Sequence, residues 1–235
     1  MEPVRINKYL SDIGYCSRRA ADKLLEEGKI IVNGKTAVLG QKVIPNDTIL
    51  VNGKPIEKTE DKVYIVFNKP AGITCTSEKS DKDNIIDFIN FKTRIYPVGR
   101  LDKASQGLIF LTNDGEWANK IAHARNLHEK EYAVRVDKPL TEDFINQMRN
   151  GVNILDTTTR KTKIFKKGED EFNIVLTQGL NRQIRRMCEA LGYKVLKLKR
   201  IRIMNITLKG LKTGEWRYLS PNELAAIDKL LIHSK

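Results

Sequence analysis

The chain has 235 residues, 30% of them charged and 40% hydrophobic, with a formal net charge of +13. That length supports a proper core, in one large domain or in a small domain joined to a medium one, and the surplus of Lys and Arg points to a polyanionic partner. No apolar run is long enough to cross a membrane, no apolar signal segment follows Met1-Glu2-Pro3-Val4-Arg5, and Cys16, Cys75 and Cys188 are too few and too scattered for a disulfide framework or a zinc knuckle, so a reduced, cytoplasmic setting is expected.

In chain order, Ile6, Tyr9 and Leu10 share one helical face, and Gly14 can end that helix. Ser17 can cap a second helix running from Arg18 to Glu27 and stopped by Gly28. Lys29-Ile30-Ile31-Val32 reads as a strand turning at Asn33-Gly34, and Val43 to Val51 as a strand region bent at Pro45-Asn46-Asp47, with a second Asn-Gly turn after it. Arg5, Lys8, Arg18 and Arg19 fall at the helix starts, where they can converge on phosphates; taken singly, each reads first as a solvated surface charge. The succession Arg5-Ile6-Asn7-Lys8-Tyr9-Leu10, Cys16-Ser17-Arg18-Arg19-Ala20-Ala21-Asp22 and Gly28-Lys29-Ile30-Ile31-Val32-Asn33-Gly34 resembles the S4 RNA-binding domain. The resemblance implies a module that binds structured RNA and carries no reaction of its own.

Polar residues from Glu57 to Lys62 read as a linker, dividing the chain into residues 1–60 and 61–235. Val63 to Phe67 is a strand, broken by Asn68-Lys69-Pro70-Ala71-Gly72. Ser77 to Asp83 reads as a mobile loop, and Asn84 can cap a short helix over Ile85 to Ile89. Then comes Gly99-Arg100-Leu101-Asp102-Lys103-Ala104-Ser105-Gln106-Gly107-Leu108, followed by Ile109-Phe110-Leu111. The apolar run from Leu108 needs cover on both faces and reads as a buried strand, which puts Asp102 on a loop leading into a sheet. By spacing alone such an aspartate reads first as a solvated turn residue or an ion-pair partner of Arg100.

Beyond it, a helix is expected from Asn113-Asp114-Gly115 through Ala122, a strand over Lys130 to Val136, and a turn at Pro139 into a helix through Met148. Strands over Thr162 to Phe165 and Glu171 to Leu176 and a helix over Gln183 to Leu191 follow. Strand pieces at Val195 to Leu198, Met204 to Leu208 and Glu215 to Leu219 precede a terminal helix over Pro221 to Ile232. Strands and helices without regular alternation point to α+β with a mostly antiparallel central sheet.

Charge gathers late in the chain. From Arg182 through Lys209 there are nine basic residues against one acid, Glu189, the pattern of a phosphate track or of a solvated helix face. Ile184, Met187, Cys188 and Leu191 form the face that packs inward, making Cys188 a core residue and not a nucleophile. His123 and His128 lack metal-ligand spacing and read as loop histidines, with His128 within reach of RNA; Trp117 and Trp216 read as core. No Gly-rich phosphate or nucleoside loop is present, which argues against a methyltransferase.

Gly99-Arg100-Leu101-Asp102 with Ser105-Gln106-Gly107-Leu108, together with Asn68-Lys69-Pro70-Ala71-Gly72, Lys130-Glu131-Tyr132 and Asn181-Arg182-Gln183-Ile184-Arg185-Arg186-Met187, resembles the pseudouridine synthases of the RsuA type, and the wording near the end is most similar to their large-subunit, RluF-like branch. The resemblance implies the pseudouridine synthase fold and isomerisation of a uridine already in RNA, with no metal, redox step or cofactor. It implies Asp102 as the catalytic carboxylate, attacking C1′ or removing the 2′ proton, Tyr132 as the residue that stacks on the base and a candidate for proton transfer, and Arg185 as the aspartate's ion-pair partner. Arg100 is expected to intercalate or hold phosphate, and Ser105, Gln106, His128, Lys130, Arg182 and Arg186 to complete the RNA contacts with the S4 residues. Structured 23S ribosomal RNA is the preferred target. The alternatives are a tRNA anticodon loop, 16S ribosomal RNA, or a non-catalytic S4-type RNA-binding protein. A monomer is expected, with no membrane or obligate protein partner. Some members carry a long basic tail, whose contact is expected to be missing from a chain ending at Lys235.

Overall fold

The computed structural model describes all residues except 1, 57–60, 79, 124–125, 233 and 235. The expected linker at 57–60, and with it the boundary after residue 60, lies outside the described residues, as do Lys79 of the loop expected to be mobile and residues 124–125 between the two loop histidines. The chain forms two compact units, Met1–Val63 with Lys92–Arg94 and Asn113–Gly115, and the remainder.

In the first unit, helices α1 (Ile6–Asp12) and α2 (Arg18–Glu26) share one core with a small antiparallel sheet. The central strands of that sheet are β1 (Ile30–Val32) and β2 (Ile49–Val51). Ser17 caps α2 by accepting the Ala20 N–H at 3.1 Å. Both Asn-Gly pairs hold positive φ at both residues, the conformation that tight hairpin turns need and that Asn and Gly tolerate. Ile6, Leu10, Ala21, Leu25, Ile30 and Val51 are buried together, so the apolar spacing read along α1 and α2 is the core face.

The second unit is built on a nine-stranded sheet. Its long strands are β3 (Tyr64–Lys69), β4 (Gln106–Thr112), β5 (Lys130–Val136), β6 (Lys163–Lys166), β7 (Glu171–Leu176), β8 (Val195–Ile203) and β9 (Trp216–Tyr218). The spatial order is β6-β7-β5-β8-β4-β3-β9, and every pairing is antiparallel except β8 with β4. That one parallel seam joins two antiparallel halves, each with its own core. One core packs α5 (Glu142–Asn150) and α6 (Gln183–Ala190) on β5 to β8. The other packs α4 (Gly115–Ala122) and α7 (Pro221–Leu231) around β3 and β4, and the short α3 (Ile85–Ile89), capped by Asn84, lies between β3 and β4 in sequence. Leu108, Ile109, Phe110 and Leu111 are all 0% exposed, and each such side chain is worth about 1.5–3 kcal/mol over leaving it in water.

Gly107 permits the seam. Its φ is +110, and a Cβ there would overlap the Arg200 carbonyl and lie 2.6 Å from the Arg200 nitrogen. No side chain fits between the two backbones.

Three expectations need correction. Asn68 and Lys69 do not break β3 but end it, both buried, because the ladder continues to Lys69 opposite Gly107. The strand piece expected over Val195 to Leu198 runs on as one strand to Ile203, because β5 on one side and β4 on the other hold it. Trp117 is core, against Tyr64 and Phe110, but Trp216 is 36% exposed on the edge strand β9, stacked edge-on with Phe91 and Tyr218.

Two stability measurements check this account. Gly107→Ala combines backbone strain with overlap against β8 and is expected to lower the unfolding free energy by roughly 3 kcal/mol in urea melts. At the start of α7, Ser220 and Glu223 form a capping box, and both arms of Arg217 grip the Glu223 carboxylate at 2.7 and 2.8 Å, holding its pKa at about 2. The stabilisation this carboxylate supplies is complete above its ordinary value of 4.5 and is lost as pH falls toward about 2. Thermal melts of Glu223→Gln should therefore lose less stability across that acid window than the parent does.

Candidate active site

A cleft of about 540 Å³ opens in the second unit beside the parallel seam, where the two cores meet: Ile184 and Leu198 of one and Ile121 and Ile203 of the other line it. Asp102 enters it from the loop over residues 98–105, which connects the short strand Tyr96–Pro97 to β4. That loop is tied down at several points. The Ser105 N–H donates to the Asp102 carbonyl at 2.9 Å, closing a turn. The Gly72 N–H donates to the Lys103 carbonyl at 2.7 Å, and the Leu101 N–H to the Cys75 sulfur at 3.3 Å. Arg185 on α6 spans the remaining gap: Nη1 donates to the Val195 carbonyl at 3.2 Å and Nη2 to the Ala104 carbonyl at 3.4 Å.

Sequence reasoning missed Lys69, which braces this loop indirectly. It is fully buried, and Nζ donates to the Pro70 and Ile73 carbonyls at 2.9 and 2.7 Å, fixing the turn from which Gly72 reaches the Asp102 loop. Burial and then Arg200 lower its pKa, opposed by Cys75 and Asp102. A lysine beside proline reads as a turn residue, and only the β3–β4 ladder places it inside.

Asp102 and Arg185 do not form a contact ion pair. Burial, then Arg182, lowers the Arg185 pKa, while Asp102 raises it, so the two charges feel each other without touching. The Arg185 Nε is buried without a hydrogen-bond partner. The physical reason is that its two outer nitrogens are already committed to backbone carbonyls on the loop and on β8.

Tyr132 and Lys130 lie two apart on β5 and line the cleft with Arg200 of β8. Arg200 pairs with Tyr132, and Arg202 with Glu131, across a β-bulge. The bulge reverses the alternation of β8. Leu198, Arg200 and Ile203 face the cleft, whereas Arg202 meets Glu131 at 2.9 Å and Glu129 at 3.1 Å on the other face. The basic track read from Arg182 to Lys209 is therefore split: Arg202 is neutralised by carboxylates of the neighbouring chain segment, and Arg200 is buried at 3% exposure. Cys188 sits in the core of α6, its thiol pushed up to about 12 by burial.

Of the other expected site residues, Arg100, Ser105 and Arg182 line the cleft. Arg182 occupies the N-cap of α6 in the left-handed region without capping it. Gln106 begins β4, outside the cleft lining. Arg186 is also outside it; its guanidinium donates to the Asn181 backbone and side-chain oxygens at 3.1 and 3.2 Å. His128 lies outside as well, 3.0 Å from the Ser234 hydroxyl, with its pKa lowered by burial and then by Lys130. In the first unit Arg5 is the N-cap of α1, Lys8 is half-buried within it, and Arg18 and Arg19 are exposed in the first turn of α2. Positive charge at a helix N-terminus opposes the macrodipole, so helix stability does not account for these arginines.

The cleft thus lines one carboxylate, Asp102, with five cations, Arg100, Lys103, Lys130, Arg182 and Arg200. It suits a polyanion that presents one group to a carboxylate and an aromatic ring. Residues 63–190 match the RNA pseudouridylate synthase family, and residues 4–49 match the S4 domain. The chain belongs to the RNA pseudouridylate synthases, isomerases that act on uridine within RNA. Within them it is of the RluF type with an N-terminal S4 domain: the dual-specificity RNA pseudouridine synthase RluF of Escherichia coli (strain K12) is 55% identical over 233 residues, covering 98% of this chain and 80% of that one. Ribosomal large subunit pseudouridine synthase B of Bacillus subtilis (strain 168) is 38% identical over 240 residues, covering 98% of each. A crystal structure of a pseudouridylate synthase matches 97% of this chain and 99% of its own, at 26% identity and a TM-score of 0.69.

Arg185→Lys keeps the charge but loses the planar fork whose two separate nitrogens reach the Val195 and Ala104 carbonyls. With the Asp102 loop released from β8, the single-turnover rate of pseudouridine formation is expected to fall on the order of 10²-fold, with RNA affinity held within a few-fold in filter binding.

Proposed function

We propose that this enzyme isomerises a specific uridine of 23S ribosomal RNA, with residues 61–235 carrying the reaction and residues 1–60 engaging structured RNA. The observation that carries the reading is the convergence of Asp102, Tyr132 and a set of cations in one cleft whose catalytic loop is tied from three sides. The target uridine leaves its helix to enter the cleft, and Tyr132 offers a π face to the flipped base and a hydroxyl for proton transfer. Asp102 acts on the sugar, by attack at C1′ or by removal of the 2′ proton. Its side chain makes no hydrogen bond to another described residue, so both carboxylate oxygens are available for that work. Arg185 acts through the loop it holds and through its field at Asp102. Arg100 and Arg182 at the cleft and Arg5, Lys8, Arg18 and Arg19 of the S4 domain meet phosphates.

The large ribosomal subunit named for the Bacillus subtilis relative supports 23S RNA as target. The term dual-specificity in the Escherichia coli relative's name supports a second RNA substrate, for which a tRNA anticodon loop is the alternative reading. The three free thiols fit a reducing cytoplasm, where these RNAs reside. Among the described residues no helix is long and apolar enough to cross a membrane.

Asp102→Asn tests the reading: pseudouridine formation should vanish while RNA affinity stays within a few-fold. Turnover that persists in this variant would overturn the assignment of Asp102. Pseudouridine maps of 23S RNA, 16S RNA and tRNA from cells lacking the gene test the target, and an unchanged 23S map would overturn the choice of RNA.

A further inference from the structure

The cleft face of the central sheet holds two cations that no carboxylate answers. Lys130 and Arg200 stand on adjacent strands, and neither forms an ion pair with a described residue. The carboxylates flanking Lys130 in sequence, Glu129 and Glu131, are turned to the opposite face, where Arg202, Lys163 and Asn173 occupy them. Lys130 Nζ has one long contact, 3.5 Å to the His128 carbonyl. Arg200 Nε donates to the Leu108 carbonyl at 2.6 Å, but its Nη2 is buried without a hydrogen-bond partner, and so is the Ser105 hydroxyl on the Asp102 loop. Buried donors left unpaired cost free energy unless a ligand satisfies them. All three residues line the cleft beside Tyr132.

The isomerisation creates an anion that such a site fits. When the C1′–N1 bond breaks, its electron pair stays on the uracil and spreads over N1, O2 and O4. C1′ is satisfied either by a bond to an Asp102 oxygen or by loss of the 2′ proton, and uracil leaves as the same anion on both routes. The ring then turns and C5 bonds to C1′ as the Asp102 oxygen leaves it or, on the other route, as C2′ regains its proton; the C5 proton departs and N1 gains one, so atoms and electrons balance with no co-reactant. We propose that Lys130 and Arg200, with the Ser105 hydroxyl beside them, form the anion site for the detached uracil, Lys130 acting as a catalytic residue on a uracil oxygen. The inference rests on the function proposed above and adds residues to that site. Buried donors prearranged in the cleft favour the state in which charge has developed over the neutral base that enters.

The Lys130 pKa agrees with this placement: burial first, then Arg200, lowers it to about 8. The charged or titratable groups lining the cleft with Lys130 are Arg200 on β8, Tyr132 on its own strand, Asp102, Arg100 and Lys103 on the loop, and Arg182 at the start of α6, with His128 just upstream; of these, Arg200 is the charge that acts on its pKa. Five cations line the cleft against one carboxylate, so an arriving anion reduces the imbalance. The ammonium is present below about pH 8 and lost above it.

The test uses the full-length enzyme and an RNA stem-loop it modifies, with uridine or the more acidic 5-fluorouridine at the target position. Lys130→Met should slow single-turnover cleavage of the uridine glycosidic bond on the order of 10²-fold and slow the 5-fluorouridine substrate much less, because a better leaving anion needs less help. Equal slowing of both substrates, or a uridine rate within threefold of the parent, would overturn the proposal. If Lys130→Met does not fold, Lys130→Arg decides: the parent's kcat/KM should fall above about pH 8 and the Arg variant's should not. A parent profile without that limb, or an identical limb in the variant, counts against the idea. An active parent separates these outcomes from failure of the proposed function, which would show as no pseudouridine formed at all.

Discussion

At Gly107 the backbones of β4 and β8 approach so closely that no side chain fits between them, and the second unit is arranged about that contact. It makes the single parallel pairing in an otherwise antiparallel sheet and joins two halves that each bury their own core. The strand on one side of the seam begins immediately after the loop that carries Asp102. The strand on the other side carries Arg200. A change in the spacing of this pairing would shift the carboxylate relative to the cations, and positional errors of about 1 Å are enough to cost catalysis heavily. The brace from Arg185 to both Ala104 and Val195 crosses the same region, so two independent devices hold one distance.

The second organising feature is the sorting of charge by strand alternation. Side chains of β5 and β8 alternate between faces, and the bulge at Glu131/Tyr132 inverts that alternation partway along the pair. Arg202 consequently meets two glutamates, while Arg200, two residues earlier, turns into the cleft with Lys130 and Tyr132. One face carries ion pairs from Arg202 and Lys163 to Glu129 and Glu131, and the other a concentrated positive field around one aspartate. The same sheet therefore provides structural ion pairs and a site for an anionic substrate without any segment being specialised for either.

Much of the local structure was legible from residue types alone. Ser17 and Asn84 cap the helices they precede, and the Asn-Gly pairs turn where expected, because these signals depend on a few neighbouring residues and one backbone hydrogen bond. The apolar run after Gly107 is buried throughout. In the site, Asp102, Tyr132, Lys130, Arg100, Ser105 and Arg182 reach one cleft, and Arg185 stands behind its loop. Gln106, Arg186 and His128 lie outside the lining, and Lys69 and Arg200 gained importance that composition did not reveal. Gln106 and Arg186 belong to motif stretches whose other members reach the cleft, but a strand and a helix turn neighbouring residues to different sides; His128 stands upstream of β5.

The sequence by itself determined the order of the elements and the apolar faces that form the cores, since these follow from periodicity and capping chemistry within short windows, while the class of chemistry was expected from the resemblance its motifs carry. Only the tertiary structure decided which basic residues are free cations and which are neutralised, and that Asp102 and Arg185 are coupled without touching. Those outcomes depend on the register between strands far apart in the chain, and a one-residue bulge reverses them while leaving the local pattern of side chains unchanged.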